Sequence, residues 1–207
     1  MNTTDFTKLV QSRLGVFADG QPGDKTLAAL DKVLPAKDQP KENPAPVITF
    51  TGEKVDERSE RVIATLHPRL HDKTRQLVQS AARNGIKIKV ISGLRTYDEQ
   101  NSLYAQGRTS SGKIVTNARG GYSNHNFGVA FDVGVFSADG SKYLDESPSY
   151  KTVGQLGKAL GFEWGGDWSS IQDQPHFQLR PAWAKGMKES EMLAEMRRRK
   201  SAGADVF

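Results

Sequence analysis

One stretch of this chain has no means of packing, and it divides the molecule before any element is placed. Pro35-Ala-Lys-Asp-Gln-Pro-Lys-Glu-Asn-Pro-Ala-Pro46 carries four prolines and no large apolar side chain. Such a segment favours extended polyproline backbone and offers nothing to a core. Residues 1–34 therefore read as a small module and 35–47 as a linker, followed by a larger domain over 48–181 and a basic helical tail over 182–207. At 207 residues the chain has room for one core of ordinary size plus an accessory module.

Composition narrows the chemistry. The chain has no cysteine, which excludes disulfides, thiolate metal sites and a cysteine nucleophile, so any metal must be held by His, Asp or Glu. The formal net charge of +5 favours acidic partners, and much of the excess gathers at Arg197, Arg198, Arg199 and Lys200. That cluster reads as a solvated helix end or as a contact for an anionic envelope surface. Elsewhere the basic residues are scattered without interleaved aromatics, so nucleic acid is not the expected partner. There is no apolar run of about 18 residues to span a bilayer. The first twenty residues mix Asp5, Lys8, Gln11, Arg13 and Asp19 among their apolar positions, so no signal-peptide core is present. The expectation is a monomer that accumulates in the cytosol and reaches any wall target by release or export.

Residues 4–34 carry Phe6, Leu9, Val10, Leu14 and Phe17 before a turn, then Leu27, Ala28, Leu30, Val33 and Leu34 after it, which predicts two short helices. The turn, Asp19-Gly20-x-x-Gly23-x-x-Thr26, resembles the signature of the small helical peptidoglycan-binding domain in abbreviated form. The resemblance implies wall binding; a merely packed helical hairpin is the alternative.

In the larger domain, helix-like sequence runs from Glu53 to Leu66 and again from Leu70 to Asn84, where Leu70, Thr74, Leu77, Val78 and Ala81 share one face and Gly85 stops the helix. Ile86 to Ile91 alternates apolar and basic residues and predicts a strand with one wet face. Thr96 is placed to cap a helix from Tyr97 to about Gln106, with Asp98 and Glu99 at its positive end. A glycine- and serine-rich loop follows over 107–122. Further strands are expected at Val129–Val135 and His176–Leu179, with helices at Val153–Leu160 and Lys188–Lys200. The last of these has no catalytic part assigned to it.

The chemistry centres on Ser123-Asn-His-Asn-Phe-Gly-Val-Ala-Phe-Asp132. Asp132 lies in an apolar strand, where a lone carboxylate is costly to bury without a partner, and a metal would be one. Of the four histidines, His176 is the one on a late strand-like segment, giving His125, Asp132 and His176 as three ligands with a fourth position left for water. The bland reading is a structural aspartate and a loop histidine. Three features argue against it. Asp173 stands three residues before His176 across Pro175, near enough to act as general base and acid. Arg95 ends the first strand, where it could stabilise an oxyanion, grip a substrate carboxylate or form a surface ion pair. Gly128 lets backbone approach closely between ligand and strand. The rival pair His67 and His71 has helical spacing but carries Pro68 after the first and no adjacent glutamate, and it is set aside.

Ser123-x-His125-x-x-Gly128-x-Ala130-x-Asp132, with Ser92-Gly-x-Arg95-Thr before it and Asp173-x-Pro-His176-Phe after it, resembles the D-alanyl-D-alanine carboxypeptidase and L-alanyl-D-glutamate endopeptidase family of zinc peptidases. This VanY-like group includes many phage endolysins. The similarity runs from about Leu66 to Leu179 and includes Glu99-Gln-x-x-Leu-Tyr-x-x-Gly107. It implies an α+β fold with a small antiparallel sheet and flanking helices around one zinc ion held by His125, Asp132 and His176. It further implies Asp173 as catalytic base, Arg95 on the substrate carbonyl, and Ser123, Gln100 and Tyr104 in substrate binding. Many relatives carry glutamate where Asp173 stands, and the shorter acid resembles the endolysin-like branch. The implied activity is hydrolysis of the peptidoglycan stem peptide at L-Ala–D-Glu; a D,D-carboxypeptidase and an inactive wall-binding relative are the alternatives.

Overall fold

The computed structural model describes residues 3–13, 15, 18, 26, 29, 53–169 and 172–207. The chain forms two compact units, Met1–Thr49 and Phe50–Phe207. In the first, helix α1 spans Thr3–Arg13, and its buried Gln11 donates from Nε2 to Thr26 Oγ1 at 3.0 Å. The motif threonine is thus an internal acceptor. The second predicted helix, the remaining motif positions and the linker lie outside the described residues.

The second unit is built from α2 (Glu57–Ile63), α3 (Pro68–Arg83), β1 (Lys87–Ser92), α4 (Tyr97–Ala105), β2 (Ala130–Phe136), α5 (Ser149–Ala159), β3 (Glu163–Trp164), β4 (His176–Gln178) and α6 (Glu189–Ser201). The four strands form one sheet in the order β1-β2-β4-β3, antiparallel at every pairing. An α+β architecture is therefore present as expected, with a two-residue strand β3 that was too short to register in sequence.

Sequence chemistry explains the elements that frame the site. His67 caps α3, its Nδ1 accepting from the Arg69 N–H, and Pro68 occupies the first turn, where its missing donor costs nothing. The face predicted for this helix is the buried one: Leu70, Thr74, Leu77, Val78 and Ala81. At α4, Thr96 and Glu99 form a reciprocal capping box. In β1, Ile88 and Val90 enter the core while Lys87 and Lys89, which alternate with them, do not. In β2, Phe131, Val133 and Val135 join the same core. Strand periodicity then sends Asp132 to the opposite face.

The C-terminal segment is more than a basic tail. Met192, Leu193 and Met196 of α6 are buried in a second cluster with Phe127, Val129 and Ala184. The cations at its end all have partners within the chain: Arg198 and Arg199 pair with Glu195, Arg197 bonds Gly121 and Lys200 bonds Asn126.

Candidate metal centre

Antiparallel register brings two of the predicted ligands together. Asp132 of β2 lies directly opposite His176 of β4, on the face that the core residues leave. On its other side Asp132 pairs with Ser92, where the β1 register shifts in a bulge and the chain turns away toward Arg95. The third predicted ligand, His125, comes from a single 3₁₀ turn, Asn124–Phe127, ended by Gly128 at φ 68°. A left-handed glycine is needed there, and a Cβ at that position would lie 3.1 Å from the His67 backbone nitrogen.

The three facing atoms form a nearly equilateral triangle. His125 Nε2 lies 3.4 Å from Asp132 Oδ1, His176 Nδ1 lies 3.3 Å from the same oxygen, and the two nitrogens are 3.3 Å apart. Ligands at zinc distances of about 2.0–2.1 Å in tetrahedral geometry are separated by about 3.3 Å, so the triangle has the dimensions of one face of such a site. The protons point the right way. His125 Nδ1–H donates to Gly93 O at 2.8 Å, and His176 Nε2–H donates to Gln178 Oε1 at 3.0 Å. Each imidazole therefore turns a lone pair toward the carboxylate, an arrangement that a cation stabilises and that outer hydrogen bonds hold in place. Among the described residues this is the one group of three or more His, Asp or Glu side chains disposed to hold a metal. The donor set, two imidazoles and a carboxylate, suits zinc.

The electrostatics agree. When a proton takes the place of a cation on the inward imidazole nitrogens, burial by itself would raise the Asp132 carboxyl, but attraction and hydrogen bonding from His125 and His176 outweigh it and hold the group well below the usual carboxylate range. Burial likewise works against a charged His176, yet Asp132 overcomes it and raises the imidazole. The site attracts positive charge.

Beside the triangle lies a cavity of about 760 Å³ whose lining includes Arg95, Ser123, His125, Trp168, Asp173 and His176. Asp173 is fixed by its backbone, with its N–H donating to Gly165 O at 3.0 Å and its carbonyl accepting from His176 N at 3.1 Å. Burial, then the Asp132 charge, push its carboxyl above the usual value against the pull of His176, His125 and Arg95. Arg95 donates to the second oxygen of Asp132 at 3.2 Å and to Gln100 Oε1 at 2.8 Å.

The remaining predicted positions separate by burial. Ser123 lines the cavity. Gln100 is fully buried, its amide bonded to Arg95, Thr116 and Ala118, and it lies outside the lining. Tyr104 lies outside the lining, under the guanidinium groups of Arg108 and Arg119. His67 and His71 are occupied by Asp205 and by Leu66 O respectively.

Two groups escaped sequence reasoning. Gln178 was detectable, since a residue two positions along a strand from His176 shares its face. Asn126 was not. It is fully buried, with its Oδ1 accepting from Gly121 N and its Nδ2 donating to Arg95 O, and only the folded loop reveals that role.

A sequence profile described as VanY, D-alanyl-D-alanine carboxypeptidase, matches residues 63–179, a span that contains all three predicted ligands, Asp173 and Arg95. The chain belongs to the VanY family. Within the curated relatives of this VanY domain, the peptidoglycan L-alanyl-D-glutamate endopeptidase CwlK of Bacillus subtilis is 41% identical over 128 residues, covering 58% of this chain and 77% of that protein. The L-alanyl-D-glutamate peptidase of Listeria phage A118 is 32% identical over 109 residues, 51% of this chain but only 34% of the phage protein. Among solved structures, the Serratia marcescens L-Ala D-Glu endopeptidase ChiX aligns with a TM-score of 0.48 at 24% identity, covering 64% of this chain and 94% of that one.

Proposed function

We propose that this VanY-family chain is a zinc-dependent peptidoglycan hydrolase that cuts the stem peptide at the L-Ala–D-Glu bond. The observation that carries the reading is the triangle of His125 Nε2, Asp132 Oδ1 and His176 Nδ1, with edges of 3.3–3.4 Å, opening on a cavity that also holds Asp173 and Arg95. The choice of bond follows the activity of the Bacillus subtilis relative, which is 41% identical.

Zinc, when bound by these three side chains, supplies a Lewis acid that polarises the scissile carbonyl and makes water a better nucleophile. Asp173 takes the proton that water loses and returns it to the departing amine, a role that suits a carboxylate raised above its ordinary pKa. Arg95 serves twice. It neutralises the outer oxygen of Asp132, and the guanidinium donors left over after Asp132, Gln100 and Ser92 stabilise the negative oxygen that develops on the carbonyl. Ser123 contacts substrate from the cavity wall, and the N-terminal unit contributes wall binding. No helix among the described residues is long and apolar enough to cross a membrane, and the enzyme acts on the wall after release or export.

Incubation with purified cell walls should expose new amino termini, and both EDTA and Asp173→Asn should abolish the release. Cleavage that survives EDTA would refute the reading. The family description favours one other reaction, removal of the terminal D-Ala. Mass spectrometry of a defined muropeptide separates the two, because loss of a single alanine differs from scission of the stem.

A further inference from the structure

The three ligands are not equally supported. Asp132 and His176 lie on paired strands, where the hydrogen-bond ladder fixes them. His125 rides on a four-residue 3₁₀ turn, and an isolated turn of that kind has too few internal bonds to hold its own geometry. Something outside the turn must place the Nε2 atom.

Helix α6 lies beyond the family-matched residues, which end at 179. Along it, Glu189, Met192, Leu193, Met196, Arg197 and Lys200 recur at helical spacing and so share one face. The three apolar members are buried with Phe127 and Val129, at the end of the turn and just past it. The three charged members reach its backbone and side chains. Arg197 donates to Gly121 O at 2.8 Å, with its guanidinium 4.2 Å from the Tyr122 ring centroid. Lys200 Nζ donates to Asn126 O at 2.8 Å and sits 4.8 Å from the Tyr97 ring centroid. Glu189 accepts from Asn124 Nδ2. The loop carbonyls on both sides of His125 are therefore held from one helix.

We propose that Arg197 and Lys200 are positioning residues of the metal centre, clamping the Gly121–Phe127 loop so that His125 Nε2 completes the triangle. The inference rests on the metal reading of the triad.

The test is zinc affinity of the full chain, measured by competition with a chromophoric chelator at a temperature well below every variant's Tm. Arg197→Met with Lys200→Met keeps the apolar stems and removes both donors. It should weaken zinc binding about tenfold, the lower end of what lost outer-shell support costs. Lys200→Arg with Arg197 intact keeps a donor at that position and should bind zinc as wild type does, unlike Lys200→Met. Arg198→Met, on the same helix but paired only with Glu195, should bind as wild type. If the double variant does not fold, Lys200→Met alone, at an exposed position, should still lose about threefold, one of two equal donors carrying half of the tenfold loss on a logarithmic scale. Unchanged affinity in the donor-less variants overturns the clamp even where Tm falls, because a merely structural contact would lower Tm alone. A wild-type chain that takes up no zinc overturns the metal reading and the clamp with it.

Discussion

His176 owes its usable lone pair to Gln178. The amide oxygen of Gln178 accepts the Nε2 proton of His176 and an N–H of Asn124, while its own nitrogen donates to Glu163 at 2.7 Å. Gln178→Met keeps the volume and removes the acceptor, freeing the imidazole to adopt the other tautomer. Zinc affinity should fall by about 10–100-fold, measured by chelator competition, while the fold remains intact by circular dichroism. At this scale local spacing carries the signal: Asp173, three residues before His176, was picked out by it, and Gln178, two positions along β4, was detectable by it but went unidentified. The sequence was silent on Asn126 and Gly93, whose contacts with the His125 turn and with Arg95 depend on segments about thirty residues apart.

Among the elements, α5 lies so close to the sheet that two of its positions admit no side chain. A Cβ at Gly157 would come within 2.3 Å of the Phe177 ring, and one at Gly154 within 2.4 Å of Trp164. Gly157→Ala gains about 1 kcal/mol of helix propensity, but overpacking costs roughly 1–3 kcal/mol. With a rigid ring as the obstacle the cost should win, and thermal denaturation should show a lower Tm. Because Phe177 adjoins His176, metal affinity should fall too. Besides their shared apolar core, α2 and α3 are tied by an ion pair. Glu60 accepts from Arg75 Nε and a terminal guanidinium nitrogen at 2.8–3.2 Å and from Val55 N at 3.0 Å, and the Arg75 bonds outweigh burial to hold its carboxyl below the usual glutamate range. A depressed folded pKa stabilises the protein at pH above the unfolded value, and that stabilisation is lost as pH falls through the folded one. The Tm gap between wild type and Glu60→Gln should therefore be widest near neutrality and shrink as pH falls below about 4.3.

For the molecule as a whole, three buried or half-buried acceptors converging on one point couple metal to stability. Zinc that binds only the folded chain should add roughly 2.7 kcal/mol at a free concentration a hundredfold above Kd, raising Tm by about 5–10 °C in the Phe50–Phe207 unit. Excess EDTA should reverse the shift, and a Tm indifferent to zinc would contradict the coupling.

The sequence by itself determined the chemistry and most of the scaffold. The absence of cysteine limited the ligand types, apolar periodicity marked the helices around Leu70–Ala81 and the strands at β1 and β2, and spacing singled out His125, Asp132, Asp173 and His176. These signals are local, carried by residue type and by repeats of two or about 3.6 positions. Tertiary structure alone decided the rest: the register that sets Asp132 opposite His176, the 3.3–3.4 Å triangle, and the use of Arg197 and Lys200 as internal donors. A row of cations on a polar helix looks the same in sequence whether it faces water or a loop carbonyl. Only the three apolar residues Met192, Leu193 and Met196 hint at the buried side, and what they press against is a property of the folded chain.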